Sequence, residues 1–247
     1  MTSVDDELFV LLRQDTDQIA VYSTSDYQLL RYLSLLEFKP RMFSDMTSCV
    51  KHKCLYMSDC DNGYINRYDL VSSDTSKWPV SGKPYGLSVM PGYNVLVTCQ
   101  EPNKLVEVSA DSGQCVREIV LESGIVGPHH GVQLTTGQLV ICHGRGNSLH
   151  RVCTVDNNGT VTRCYGGQRS SAVGQLKWPC HLAVDEDLQY IFVVESETGK
   201  VVLLSRTLQF LRYRCERLSG PHRLHFDNTT RRLYVAQILG NVIVIQL

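Results

Sequence analysis

Five short units in this 247-residue chain pair a proline with side chains able to do chemistry. They are Lys39-Pro40-Arg41, Lys83-Pro84-Tyr85, Gly127-Pro128-His129-His130, Trp178-Pro179-Cys180-His181 and Gly220-Pro221-His222-Arg223. Imidazole and thiolate are zinc ligands, and three protein ligands leave a fourth position open to water or substrate. His130, Cys180 and His222 would supply such a set if the units converge on one axis, with Arg41 and Tyr85 beside them. A histidine beside a proline at a strand start is more often a hydrogen-bonded packing residue, and that reading is preferred: no catalytic residue, metal or cofactor is expected. Gly144-Arg145-Gly146 and Gly166-Gly167 do not sit between a strand and a helix, so a phosphate cradle is unsupported. Ser, His and Asp are abundant, but no nucleophile-elbow motif accompanies them.

The second set of candidates is basic and aromatic. Loops that enter the anchor prolines, or join the second and third strands of each unit, should open on one face. There they would present Arg41, Arg145, Arg169, Lys177, Arg217 and Arg223, interleaved with Tyr85, Tyr165 and Trp178. Cations attract phosphate and aromatic faces stack on unpaired bases, which is the physics of single-strand recognition. The same face would also carry Glu101, Glu195 and Glu197, a mixture better suited to a protein partner. The expected binding residues are therefore Arg41, Tyr85, His130, Arg145, Arg169, Lys177, Trp178, Arg217 and Arg223. A protein partner is the first expectation and RNA the second, with neither DNA nor membrane expected.

Short strands must position these residues. The anchor prolines stand 44, 44, 51 and 42 residues apart, a period that signals a radial or stacked array. Aligning the second strands gives six rows, among them Leu55-Tyr56-Met57, Val95-Leu96-Val97 and Ile191-Phe192-Val193-Val194. Third and fourth strands follow, separated by turns such as Asp61-Asn62-Gly63 and Asp111-Ser112-Gly113. Four antiparallel strands in each of six units predict an all-β, six-bladed β-propeller whose apolar strands are buried on both faces. Residues 1–7 read as an N-terminal tail and 8–247 as one domain. The first row lacks an anchored inner strand and the last ends at its third, so either a blade is shared between the termini or the chain is part of a longer one.

Two units carry more detail: Pro179-Cys180-His181-Leu182-Ala183-Val184-Asp185 before Ile191-Phe192-Val193-Val194, and Pro221-His222-Arg223-Leu224-His225-Phe226-Asp227 before Leu233-Tyr234-Val235-Ala236. This pattern resembles the NHL repeat, and the chain looks most like the C-terminal propeller of tripartite-motif ubiquitin ligases. That resemblance implies a non-enzymatic recognition module for a ligase substrate, an adaptor or RNA. No RING or B-box zinc spacing and no heptad repeat is present, so ligase chemistry is not expected in this chain. The peptide-amidating lyase, a related propeller, looks similar around the Pro-His anchors. It implies the alternative, a zinc-dependent lyase using His130, Cys180 and His222, although Cys180 stands where that enzyme has a third histidine.

Composition fits either reading. A hydrophobic content of 43% and a charged content of 20% are those of a globular chain. No apolar run approaches the roughly 18 residues of a membrane helix, and the acidic start Met1-Thr2-Ser3-Val4-Asp5-Asp6-Glu7 is unlike a secretory leader. A cytoplasmic location is expected. The ten cysteines then read as small apolar residues, with Cys153 and Cys164, opposed across Asn158-Gly159, the pair nearest to bridging geometry. Residues 1–123 hold 11 Lys/Arg against 17 Asp/Glu and residues 124–247 hold 13 against 8, so a surface with an acidic and a basic side is expected.

Overall fold

The computed structural model describes residues 1–11, 18–35, 43–144, 146–172 and 174–247. Arg41 and Arg145, expected in the binding face, lie outside the described residues. The described residues form 23 strands in six antiparallel sheets, each ordered as in sequence. Sheet one holds β1–β4 (Thr2–Val4, Glu7–Leu11, Gln18–Ser23, Leu29–Ser34) and sheet two β5–β8 (Phe43–Cys49, Cys54–Asp59, Tyr64–Asp69, Thr75–Pro79). Sheet three is β9–β12 (Lys83–Val89, Val95–Gln100, Lys104–Val108, Cys115–Val120) and sheet four β13–β16 (Pro128–Gln133, Leu139–His143, Leu149–Val155, Val161–Gln168). Sheet five is β17–β20 (Pro179–Asp185, Tyr190–Glu195, Lys200–Ser205, Phe210–Cys215), and sheet six holds three strands, β21–β23 (Pro221–Asp227, Arg232–Gln237, Val242–Gln246). This is the six-bladed β-propeller that the repeat implies.

The core is divided as a propeller demands. One hydrophobic cluster fills each gap between successive blades: Val97 with Tyr56 between blades two and three, Ile141 with Leu96 between three and four, and Val193 with Cys142 between four and five. Second strands are sandwiched on both faces, so β6 and β10 are buried at every position. That is why they read in sequence as unbroken apolar runs rather than alternating ones.

Residues 1–7 are not a tail. Thr2–Val4 pairs with β2 as the inner strand of blade one, Thr2 opposite Phe9 and Val4 opposite Glu7. The ring closes without a shared sheet: Met1 and Leu8 pack on Tyr234 of β22, and Arg232 donates to the Thr24 carbonyl at 2.7 Å. Cys153 and Cys164, paired across β15 and β16, form a disulfide with a Cα–Cα distance of 4.2 Å, against the expectation of free thiols. Cross-strand register places the two Cβ atoms within bridging reach.

The inner strands share one irregularity that positions the site. In β13, β17 and β21 the ladder skips a residue just after the anchor proline: Pro128 pairs with His143 but His130 with Cys142, and the same shift follows Pro179 and Pro221. Proline has no N–H to give the ladder, and the extra residue makes a β-bulge that re-aims the next side chain. In β9 the corresponding place is Gly86. A Cβ there would stand 2.3 Å from the His129 carbonyl oxygen and 2.8 Å from the His130 Cα, so glycine lets β13 approach.

Candidate functional site

Two constellations emerge, one on the axis and one on the anchor-proline face. On the axis, the bulges deliver the second residue after each anchor proline: His130 from blade four, His181 from blade five and Arg223 from blade six. Blade two adds Asp45, which sits in a longer irregularity, where Phe43 and Met46 pair with Asp59 and Met57. Arg223 Nε lies 2.9 Å from Asp45 Oδ1, while His181 Nε2 and His130 Nε2 lie 3.4 and 3.7 Å from Oδ2. The Leu87 N–H donates to Oδ2 at 2.9 Å, and the Ser58 hydroxyl accepts from the Asp45 N–H at 2.9 Å. The imidazoles stack with ring centres 3.7 Å apart, and His130 Nε2 donates to the Leu87 carbonyl at 3.0 Å.

Charge in this network is settled by burial. Removal from water pushes His130 down to about 3 and lowers His181 as well, so both rings are neutral near pH 7. Burial alone would raise the Asp45 carboxyl, but His181 and Arg223, with His130 behind them, hold it well below the usual carboxylate range. The result is one carboxylate matched by one guanidinium, with two neutral rings completing the hydrogen bonds.

The expected trio is not the one that converges. Cys180 and His222 occupy the bulges rather than the axis: Cys180 Sγ lies 3.5 Å from the His222 carbonyl oxygen and 3.8 Å from its Nδ1. Of that set only His130 is axial, and among the described residues the ligand atoms that gather within 4.8 Å of one another belong to Asp45, His130 and His181. Those atoms could share a cation by spacing alone. Their chemistry disagrees: Oδ2 accepts the Leu87 N–H, the His130 Nε2 proton points at a carbonyl, and a guanidinium already balances the carboxylate. A dication would leave excess positive charge in a site buried away from bulk solvent. Arg223, expected on the binding face, is largely buried here, its side chain 16% exposed.

At the anchor-proline end the structure brings together several expected binding residues. Tyr85 and His129 meet edge to face with centroids 6.3 Å apart, and His129 and Trp178 lie 6.0 Å apart, forming a half-buried row of rings across blades three to five. Trp178 is held by its N–H on His150 Nδ1 at 2.7 Å and by its carbonyl on the Ser196 N–H at 3.1 Å. Its φ of 60° is an uncommon conformation for so bulky a residue. Around the row, basic groups meet carboxylates. Arg169 pairs with Glu197, which also receives Lys177 at 3.2 Å, and Lys83 pairs with Glu101. Arg217 is exposed in the loop that enters Pro221.

No protein-family model matches the chain, and no curated protein matches it. Solved structures do. A chain of the nidogen/laminin complex is 20% identical, with a TM-score of 0.74, covering 98% of this chain and 89% of that one. The Kuenenia stuttgartiensis hydrazine synthase structure gives 15%, 0.72, 100% and 94%, and virginiamycin B lyase from Staphylococcus aureus 13%, 0.66, 99% and 83%. These likenesses show the fold. At such identities one architecture hosts unrelated chemistries, so function has to come from the site.

Proposed function

We propose that this propeller is a non-enzymatic recognition module that binds a protein partner through its anchor-proline face. The observation that carries this reading is the row Tyr85, His129 and Trp178 rimmed by paired charges. Protein interfaces favour an aromatic centre with a polar rim, and aromatic anchors supply most of the binding energy. A polyanion would instead be met by cations free of carboxylates, whereas Arg169 and Lys177 share Glu197 and Lys83 is matched by Glu101. The fold similarity to a chain of a nidogen/laminin complex is in keeping with protein binding. The NHL-like pattern after Pro179 and Pro221 supports a finer version, in which the module selects substrates or adaptors for a ubiquitin ligase. The axial network supports the non-enzymatic part, because its carboxylate is engaged by Arg223, the Leu87 N–H and His181.

Photo-crosslinking tests this proposal. Benzoylphenylalanine at Arg217, on the anchor face, should give adducts with a defined protein in cells, while the same probe at exposed Thr136, on the opposite face, should not. Nuclease-sensitive adducts at Arg217 would replace the protein reading with the RNA one. Equal protein adducts from both faces would refute the placement.

A further inference from the structure

Five blades have four strands, but among the described residues no strand lies beyond β23 in blade six. Burial registers the difference. Val201, Val202, Leu203 and Leu204 of β19 are buried beside β20, whereas no residue of the equivalent strand β23 is buried. Register tells which backbone groups are left open. The Gln237 N–H donates to the Asn241 carbonyl at 2.8 Å and the Leu247 N–H to the Arg231 carbonyl at 3.0 Å. Hydrogen-bonded pairs alternate along an antiparallel ladder. Ile243 and Ile245 therefore spend their N–H and C=O groups on β22, while Val242, Val244 and Gln246 turn theirs outward. Of these outward groups the Gln246 carbonyl has a partner, Arg214 Nη2 at 2.8 Å.

The open edge runs between two unlike walls. On the blade-five side stand Arg212 and Arg214 of β20. Arg212 is exposed and lies opposite Leu203, sharing that residue's face toward blade six. Arg214 Nε is buried with no partner. Neither guanidinium meets a carboxylate among the described residues, and Glu216 pairs instead with Lys200 at 3.9 Å. On the blade-one side stands Tyr32, opposite Ala20, which in turn lies opposite Val10 in the cluster shared with Val242 and Val244. Tyr32 is 51% exposed although its face is apolar. An uncovered edge is a template for another strand, and the walls beside it select which one. We propose that β23 binds, by antiparallel strand addition, an extended segment of a partner protein in which acidic and apolar residues alternate. Directly opposed residues share a face of the sheet. The apolar residues then lie opposite Val242 and Val244, their backbone groups bonded to the edge and their side chains toward Tyr32. The acidic residues lie opposite Ile243 and Ile245 and face Arg212 and Arg214. A second copy of β23 fits less well, because Val242-Ile243-Val244-Ile245 offers these arginines no carboxylate.

The test is a fluorescence-anisotropy titration of the full chain against a labelled peptide, Glu-Val-Glu-Leu-Glu-Val-Glu. It should bind saturably, and about tenfold more tightly than the same peptide with Lys in place of every Glu. N-methylation of its Val and Leu residues, whose N–H groups face the edge, should abolish binding. N-methylation of the Glu residues, whose N–H groups face away, should leave it unchanged. Both modifications are in the peptide, so the folding of the protein is not at issue. Arg212→Glu, an exposed change, should narrow or reverse the preference for Glu over Lys. Absence of saturable binding, equal loss from the two methylation patterns, or an unchanged preference in Arg212→Glu would overturn the proposal. So would a dimer in light scattering that dissociates on Val244→Pro, since the occupant would then be a second copy. The edge lies on the outer wall of the ring, so none of these results depends on the role of the anchor-proline face.

Discussion

Carboxylates meet cations in two regions of this propeller, the axis and the anchor-proline face, and the same pairing has different consequences in each. Asp45 is 2% exposed at its side chain and Arg223 16%, whereas Glu197 is 25% exposed and Arg169 47%. On the surface, water screens both partners with or without the bond, and such pairs contribute roughly 0–1 kcal/mol. On the axis both charges are withdrawn from water, so removing one takes away the opposite charge that faces the other at 2.9 Å. Residue types alone do not separate these cases; burial does. The comparison also separates a buried network that links blades two, four, five and six from the solvent-exposed anchor-proline face.

The largest effect should come from Asp45→Ala. It removes the carboxylate facing Arg223 and the acceptor for the Leu87 N–H, and should lower the unfolding free energy by about 3–5 kcal/mol, read from urea denaturation. Acid should act on the same core. His130 is pushed down to about 3 and His225 to about 4, both by burial, while unfolded histidine titrates near 6.5. The unfolded chain therefore binds more protons below pH 6.5, and stability falls with pH from there, at about 1.4 kcal/mol per unit for each such ring. The Asp45 contribution persists until the pH drops through its depressed pKa. Replacing His225 with Gln, which retains a partner for Ser3, should make the decline between pH 6.5 and 5 shallower, and an unchanged slope would mean that this ring is not buried neutral. Gly86→Ala forces the β9 and β13 backbones apart and should cost about 1–3 kcal/mol, readable from the urea midpoint. The smallest effect belongs to the face. Glu197→Gln should change stability by less than about 1 kcal/mol while freeing Arg169 and Lys177. If it creates salt-sensitive binding of a single-stranded RNA that the parent chain ignores, the pairing is what excludes polyanions.

The propeller was legible in the sequence because its signals are local and repeated: anchor prolines at a regular interval, turn residues between strands, and second strands apolar throughout because both faces are covered. The first inner strand was not, since Thr2-Ser3-Val4 is short, has no anchor proline and owes its place to pairing with β2. The axial site was half legible. His130 came from the anchor motif, but Cys180 and His222 were preferred over their neighbours His181 and Arg223. A bulge after each proline fixes the inward position at the second residue, so applying one offset to every repeat would have selected His130, His181 and Arg223 together. Asp45 carried no such signal: it follows Pro40, the first anchor proline, by five residues, and an aspartate near a strand start reads as a turn. The ion pairs of the anchor face were also invisible, because Arg169 and Glu197 meet only across blades four and five.

The structural role of the axis is tested most directly by a double-mutant cycle on Asp45→Ala and Arg223→Ala, followed by urea denaturation. If the two charges exist to balance each other, each single change is severely destabilising and the double change costs no more than the worse single one, giving a coupling energy of about 2 kcal/mol or more. Additive losses, or single variants as stable as the parent chain, would contradict a buried, mutually compensated pair and return Asp45 to the list of groups free for chemistry.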